Sequence, residues 1–190
     1  WIGLALATVW LIIARPVSAD TITLDADQDI YRSEQNGPYN DPELDTGYRL
    51  WVTGPEYYRA AVSFSIPPVL TGKYIQSATL KLYYFDAWGT FNTQTVRVHH
   101  VTQPWTEGSI PFYIGIEPAL AATPVGGTTF QWRTWDVTSS VRRWVSNSAP
   151  NYGFLLSSDT NADNAVRFIS RENANTSQRP ALEIVYSSPV

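Results

Sequence analysis

The 190-residue chain carries 13 Lys and Arg against 17 Asp and Glu, a net charge of −4, and no cysteine. The lack of thiols excludes cysteine nucleophiles, Cys-ligated metals and disulfides, and the acidic balance without any basic run gives no electrostatic footprint for nucleic acid. With 8 Trp and 11 Tyr, aromatic side chains are abundant enough to serve both as core and as surface platforms.

Residues 1–14 are almost wholly apolar, Arg15-Pro16 break the run, and Val17-Ser18-Ala19 fits the small-x-small pattern of a signal-peptidase site. An apolar run of about 14 residues suits a secretion signal and falls short of the roughly 20 needed to cross a bilayer. The expectation is a signal peptide over residues 1–19 that lacks its basic start, the alternative being a short membrane anchor. The mature chain then begins at Asp20, is secreted or held at the cell surface, and has no membrane association once the signal is removed. The start at Trp1 and the lack of Met are expected of a trimmed sequence. Residues 187–190 read as the start of a linker, so the domain is expected to be tethered to others. Between them, residues 20–186 form one domain by length, large enough to bury a core without staples.

Within that domain, Ile22, Leu24, Ala26 and Ile30 alternate with Thr23, Asp25, Asp27 and Asp29, which predicts a half-buried strand. Residues 36–47 are dense in turn formers and predict a loop. Strands follow at 48–53 and at 58–66, where Ala60, Val62, Phe64 and Ile66 share a face. A third, at 78–85, places Leu80, Leu82 and Tyr84 opposite Lys81, Tyr83 and Phe85. Another strand is predicted at 95–101. Residues 102–127 are rich in Pro and Gly and predict a long loop region. After a strand at 131–136 the period changes, because Val137, Val141 and Trp144 or Val145 recur at helical spacing. This predicts a short helix from Thr138 to Val145, capped by Asp136 or Thr138. Strands at 154–157, 166–170 and 181–186 close the chain. Many short strands, frequent turns and one helix predict an all-β, antiparallel sandwich or barrel.

Several stretches carry a resemblance. Leu50-Trp51-Val52-Thr53-Gly54, Tyr58-Arg59 with Val62 and Phe64, the run from Ile75 to Tyr83, Trp105-Thr106-Glu107-Gly108, and nearly all of 135–186 resemble, in register, the DNRLRE domains. These are also grouped as carbohydrate-binding module family 96. Two loops depart from the family pattern: Pro38-Tyr39-Asn40 replaces an Asn-Tyr-Gly, and Phe112-Tyr113-Ile114-Gly115 replaces a Thr-Trp-Asn segment. A ligand groove shaped by either loop would take a different ligand. The resemblance implies a secreted β-sandwich of jelly-roll type and a non-catalytic module, in some members one that binds alginate-like acidic polysaccharide.

The residues themselves offer several candidate sites. Lys81, Tyr83 and Phe85 on one strand, and Arg97 and His99 on another, would form a platform of rings and cations for an acidic glycan if the two faces coincide. The other reading packs the rings under a loop. Trp51, Trp88 and Trp105 lie in or beside loops and are candidate sugar contacts, whereas Trp132, Trp135 and Trp144 are expected in the core. Arg59, Arg171 and Glu172 are expected in structural ion pairs. Arg171 and Glu172, read as neighbours on one strand, should point to opposite faces. Asp25, Asp27 and Asp29 on one strand face are the calcium candidates, with a solvated acidic edge as the alternative; no other cofactor is implied. His99 and His100 are the only imidazoles, and neither a GxSxG elbow nor a lyase-type strand motif accompanies them. The expected function is therefore a non-catalytic module whose partner is a polysaccharide. The alternatives are an adhesive cell-envelope domain with a protein partner and a small polysaccharide lyase or hydrolase.

Overall fold

The computed structural model describes residues 18–89, 92–127, 130–158 and 163–188. The predicted signal peptide lies outside them except for Ser18 and Ala19, as do the last two residues of the predicted linker. The described residues form β1 (Asp20–Asp25), β2 (Gln28–Ser33), β3 (Glu43–Trp51), β4 (Gly54–Ser63), β5 (Tyr74–Gly89), β6 (Gln94–Val101), β7 (Ile116–Val125), β8 (Gln131–Asp136), α1 (Thr138–Val145), β9 (Phe154–Ser158), β10 (Asn164–Ile169) and β11 (Ala181–Ser187), with two single-turn 3-10 helices. Every pairing is antiparallel, in the order β1-β11-β5-β10-β3-β4-β9-β6-β7, with β2 added to β4 and β8 to β5. This is the all-β sandwich with one short helix that the sequence predicts.

The sheet curls on itself because β5 is long enough to serve several partners. Lys81 is paired with both Ala181 and Thr134, and Tyr84 with both Phe168 and Gln131. Strand β8 therefore runs along one edge of β5, while β10 and β11 follow each other along the other edge. Alternation then sorts the side chains. Leu80, Leu82 and Tyr84 of β5 are buried in one core with Val96 and Val98 of β6, and the indole N–H of Trp135 crosses it to donate to the Val96 carbonyl at 3.0 Å. Burying one such aliphatic side chain stabilises the fold by roughly 1.5–3 kcal/mol, so the two strands are held face to face across the core. Helix α1 closes one end with Val141 and Trp144 buried, and its start is fixed by Asp136, which accepts the Thr138 N–H at 2.9 Å.

A second, smaller core lies on the outside of β2, β4 and β9. Ala61 and Leu155, which alternate with the main-core residues Ala60, Val62, Phe154 and Leu156, are covered there by Trp105, Ile110 and Ile114. Residues 102–115 thus form a flap over one outer face of the sandwich. The opposite outer face, made by β3, β10, β5 and β8, carries no such flap among the described residues.

Three sequence expectations change. The strand read across 22–30 is two strands, interrupted at Ala26-Asp27, because β1 pairs with β11 while β2 pairs with β4. The loop expected at 36–47 ends early, since Glu43 to Gly47 already belong to β3; their acidic side chains are accommodated by a cation on the next strand. Residues 116–125, read as part of a long loop, are the edge strand β7. Pro118 and Pro124 disguise it, yet proline is tolerated on an edge, where one side of the backbone has no ladder to donate to.

Candidate functional site

On the open outer face, rings and cations alternate across four strands. The Arg49 guanidinium lies 4.9 Å from the Trp51 ring and 5.5 Å from the Trp88 ring. Arg167 lies 4.4 Å from Trp88 and 5.2 Å from Phe85. Two residues further along the same face, Tyr83 meets Trp132 edge-on at 5.4 Å, and Lys81 sits 5.6 Å from Trp132. Trp51 and Trp88 remain 41% and 39% exposed. The alternation of β3, β5 and β8 produces this arrangement, together with a bulge where the β10–β5 register shifts between Arg167 and Phe168. The bulge turns both Phe85 and Asp86 outward. Gly89 at the end of β5 has a positive φ, and a Cβ there would meet the Asp163 carbonyl oxygen at 2.0 Å. Only glycine lets Asp163 approach close enough for its carboxylate to pair with Arg49 at 3.3 Å.

Every cation of this stripe is paired within the protein. Arg167 contacts Glu43, Asp86 at 2.7 Å and Asp45 at 3.6 Å; Lys81 contacts Glu183 at 3.3 Å. Three cations therefore face five carboxylates, Glu43, Asp45, Asp86, Asp163 and Glu183. Asp45 is the most buried of them. Its acidity is pushed to about 7, above all by burial and then by neighbouring Glu43, against the pull of Arg167 and of the Trp88 N–H.

Of the residues expected to form one platform, Lys81, Tyr83 and Phe85 do share a surface, and Trp51 and Trp88 join it. Arg97 and His99 do not. They lie on β6, which faces β5 across the core, so the outward sides of the two strands lie on opposite sides of the molecule. His99 is held by the Glu117 carbonyl at 3.0 Å and the Ser157 hydroxyl at 2.9 Å. Trp105 is only 8% exposed, and its N–H donates to the Tyr152 carbonyl at 2.7 Å; the flap turns it inward. Trp132 reverses its expected place, since it lies on the open face while Trp135 and Trp144 are buried. Three residues apart on one strand, Trp132 and Trp135 point to opposite faces, so this was legible. Arg49 and Arg167 were missed, although Arg49 stands two residues before Trp51 and so shares its face.

Arg59 stacks over Phe112 at 4.7 Å and Tyr113 at 5.8 Å beside a cleft of about 290 Å³ that Glu34, Tyr57 and Tyr58 also line. Tyr113 is 72% exposed there and donates its hydroxyl proton to Glu34.

The three calcium candidates do not form a cluster. Asp25 and Asp27 are exposed and Asp27 lies between two strands, whereas Asp29 is completely buried. Its neighbours come from elsewhere: Glu107 on the flap, and Arg171 and Glu172 in the turn after β10. Arg171 donates to Glu107 at 2.6 Å and contacts Glu172 at 3.1 Å. The two neighbours in sequence do meet, because β10 ends at Ile169 and the backbone turns.

The described residues thus form a β-sandwich with rings and paired cations gathered on one outer face. Residues 22–186 match carbohydrate-binding module family 96, and the chain belongs to that family. It is also similar to a tRNA3(Ser)-specific nuclease WapA of Bacillus spizizenii, 27% identical over 149 residues, and to a tRNA nuclease WapA of Bacillus subtilis, 29% identical over 151 residues. Each match covers 77% of this chain and 6% of the relative, so the chain spans a small part of those proteins.

Proposed function

We propose that this domain is a non-catalytic module, working outside the cell, that holds a neutral polysaccharide along the stripe from Trp51 to Trp132. The observation that carries it is the run of solvent-reaching rings, Trp51 and Trp88 most exposed, set beside paired guanidinium groups on one outer face. A pyranose presents C–H bonds to the electron-rich face of a ring, and the carboxylates beside the rings can bond its hydroxyls. A uronate polymer fits less well, because the stripe has three cations against five carboxylates and the chain as a whole is acidic. The apolar opening and the cleavage-type pattern at 17–19 support export. The nuclease names of the WapA relatives belong to proteins of which the match covers 6%, and do not carry a nuclease reading here.

Affinity electrophoresis against neutral β-glucans, xylans and mannans, and against alginate, tests this. Retention on a neutral polymer that survives raised salt is expected, and Trp51→Ala should weaken it at least tenfold, about 1.4 kcal/mol. Salt-sensitive retention on alginate alone would overturn the neutral ligand, and an unchanged Trp51→Ala would overturn the stripe. No retention on any glycan would favour a protein partner instead.

A further inference from the structure

We propose that Asp29, Glu107 and Glu172 hold a divalent cation, Ca²⁺ by its preference for oxygen ligands, beneath the flap. One oxygen from each residue lies within 4.8 Å of the others, the span of oxygens on opposite sides of a Ca²⁺ ligated at about 2.3–2.6 Å. The existing contacts occupy one side of these groups. Asp29 Oδ2 accepts the Arg171 backbone N–H at 2.7 Å, Glu107 Oε1 accepts the Asp29 N–H at 3.2 Å and the Arg171 guanidinium, and Glu172 Oε1 faces the same guanidinium. Asp29 Oδ1 and Glu172 Oε2 remain. Both are buried, and neither accepts a hydrogen bond.

An ionised carboxylate only accepts, so these two oxygens cannot satisfy each other, and leaving a charge buried without a partner is costly. Three carboxylates and one guanidinium leave two negative charges, which a divalent cation neutralises. Water would complete the coordination. The ion would tie β2, the flap and the turn after β10 together at one place, so its loss would loosen the flap without touching the glycan stripe.

The test uses the whole chain, stripped with EDTA and titrated with CaCl₂ by calorimetry, with thermal melts in parallel. One ion bound per chain and a melting temperature several degrees higher are expected. Glu172→Gln should fold and lose both responses. Asp29→Asn should do the same, and if it fails to fold, Glu172→Gln decides. The proposal fails if the stripped protein binds neither Ca²⁺ nor Mg²⁺, or if Glu172→Gln responds like the parent. A melting temperature that ignores Ca²⁺ but falls as the pH is raised above neutrality would overturn it in favour of a proton shared by Asp29 and Glu172.

Discussion

Arg167 and Arg171 stand four residues apart, and each faces three carboxylates, yet the two sites are built differently. Arg167 reaches all three of its acids, Glu43, Asp45 and Asp86, and its flat face lies against Trp88 and Phe85. Its side chain is 13% exposed. Arg171, 35% exposed, reaches Glu107 and Glu172 through one nitrogen and touches Asp29 only through its backbone N–H. In the first group one buried oxygen, Asp45 Oδ1, makes no hydrogen bond but lies 3.6 Å from the Arg167 Nε; in the second, two buried acceptors are left over. A guanidinium can bind several carboxylates when a strand places it in their plane. Arg167 lies within β10, whereas Arg171 lies in the turn beyond its end, where its fork is not presented to all three.

The difference can be broken from the first side. Arg167→Met should cost about 3 kcal/mol, because it leaves the buried Asp45 carboxylate with only the Trp88 N–H and frees the partly exposed Glu43 and Asp86; chemical denaturation measures it, and a loss below about 1 kcal/mol would mean that the stripe is braced by its rings alone. Asp45 gives the next largest effect. Its folded acidity lies near 7 and its ordinary value is 3.8, so between those values the unfolded chain releases a proton that the folded one keeps. Stability is then greatest below about pH 4 as far as this group is concerned, and falls by roughly 3 kcal/mol as the pH rises toward 7. Denaturation midpoints across that interval should show the slope, and Asp45→Asn should flatten it. The smallest effect belongs to the second site: Arg171→Met should cost about 1 kcal/mol without added metal and less with Ca²⁺ present, since the ion takes over the neutralising charge. An equal loss in both conditions would separate the ion from this guanidinium.

Much of the fold was legible because alternation is a local property. The run 78–85 shows its inner face, Leu80, Leu82 and Tyr84, and its outer face, Lys81, Tyr83 and Phe85, without any structure. What alternation cannot show is which strands become neighbours. Arg97 and His99 were placed beside Lys81 on the strength of a shared pattern, but β6 pairs with β7 and β9, and the core separates it from β5. The buried carboxylate group was out of reach for the same reason, since Asp29, Glu107 and Glu172 are joined only by long-range packing. Its one local sign, an aspartate among buried neighbours, was hidden by reading 22–30 as a single strand. The flap escaped notice because Trp105, Ile110 and Ile114 have no period, being inserted one by one over Ala61 and Leu155.

The bulge opposite Arg167 has a consequence for how this chain can change over time. Because Phe85 and Asp86 both project outward, the strand beyond them is out of phase with the strand before them. Removing either residue would restore strict alternation and leave Trp88 outward and Ala87 inward, because the bulge holds the one extra residue of the ladder. A lost codon at that position would therefore remove one side chain from the stripe without reversing the faces of the strand beyond it.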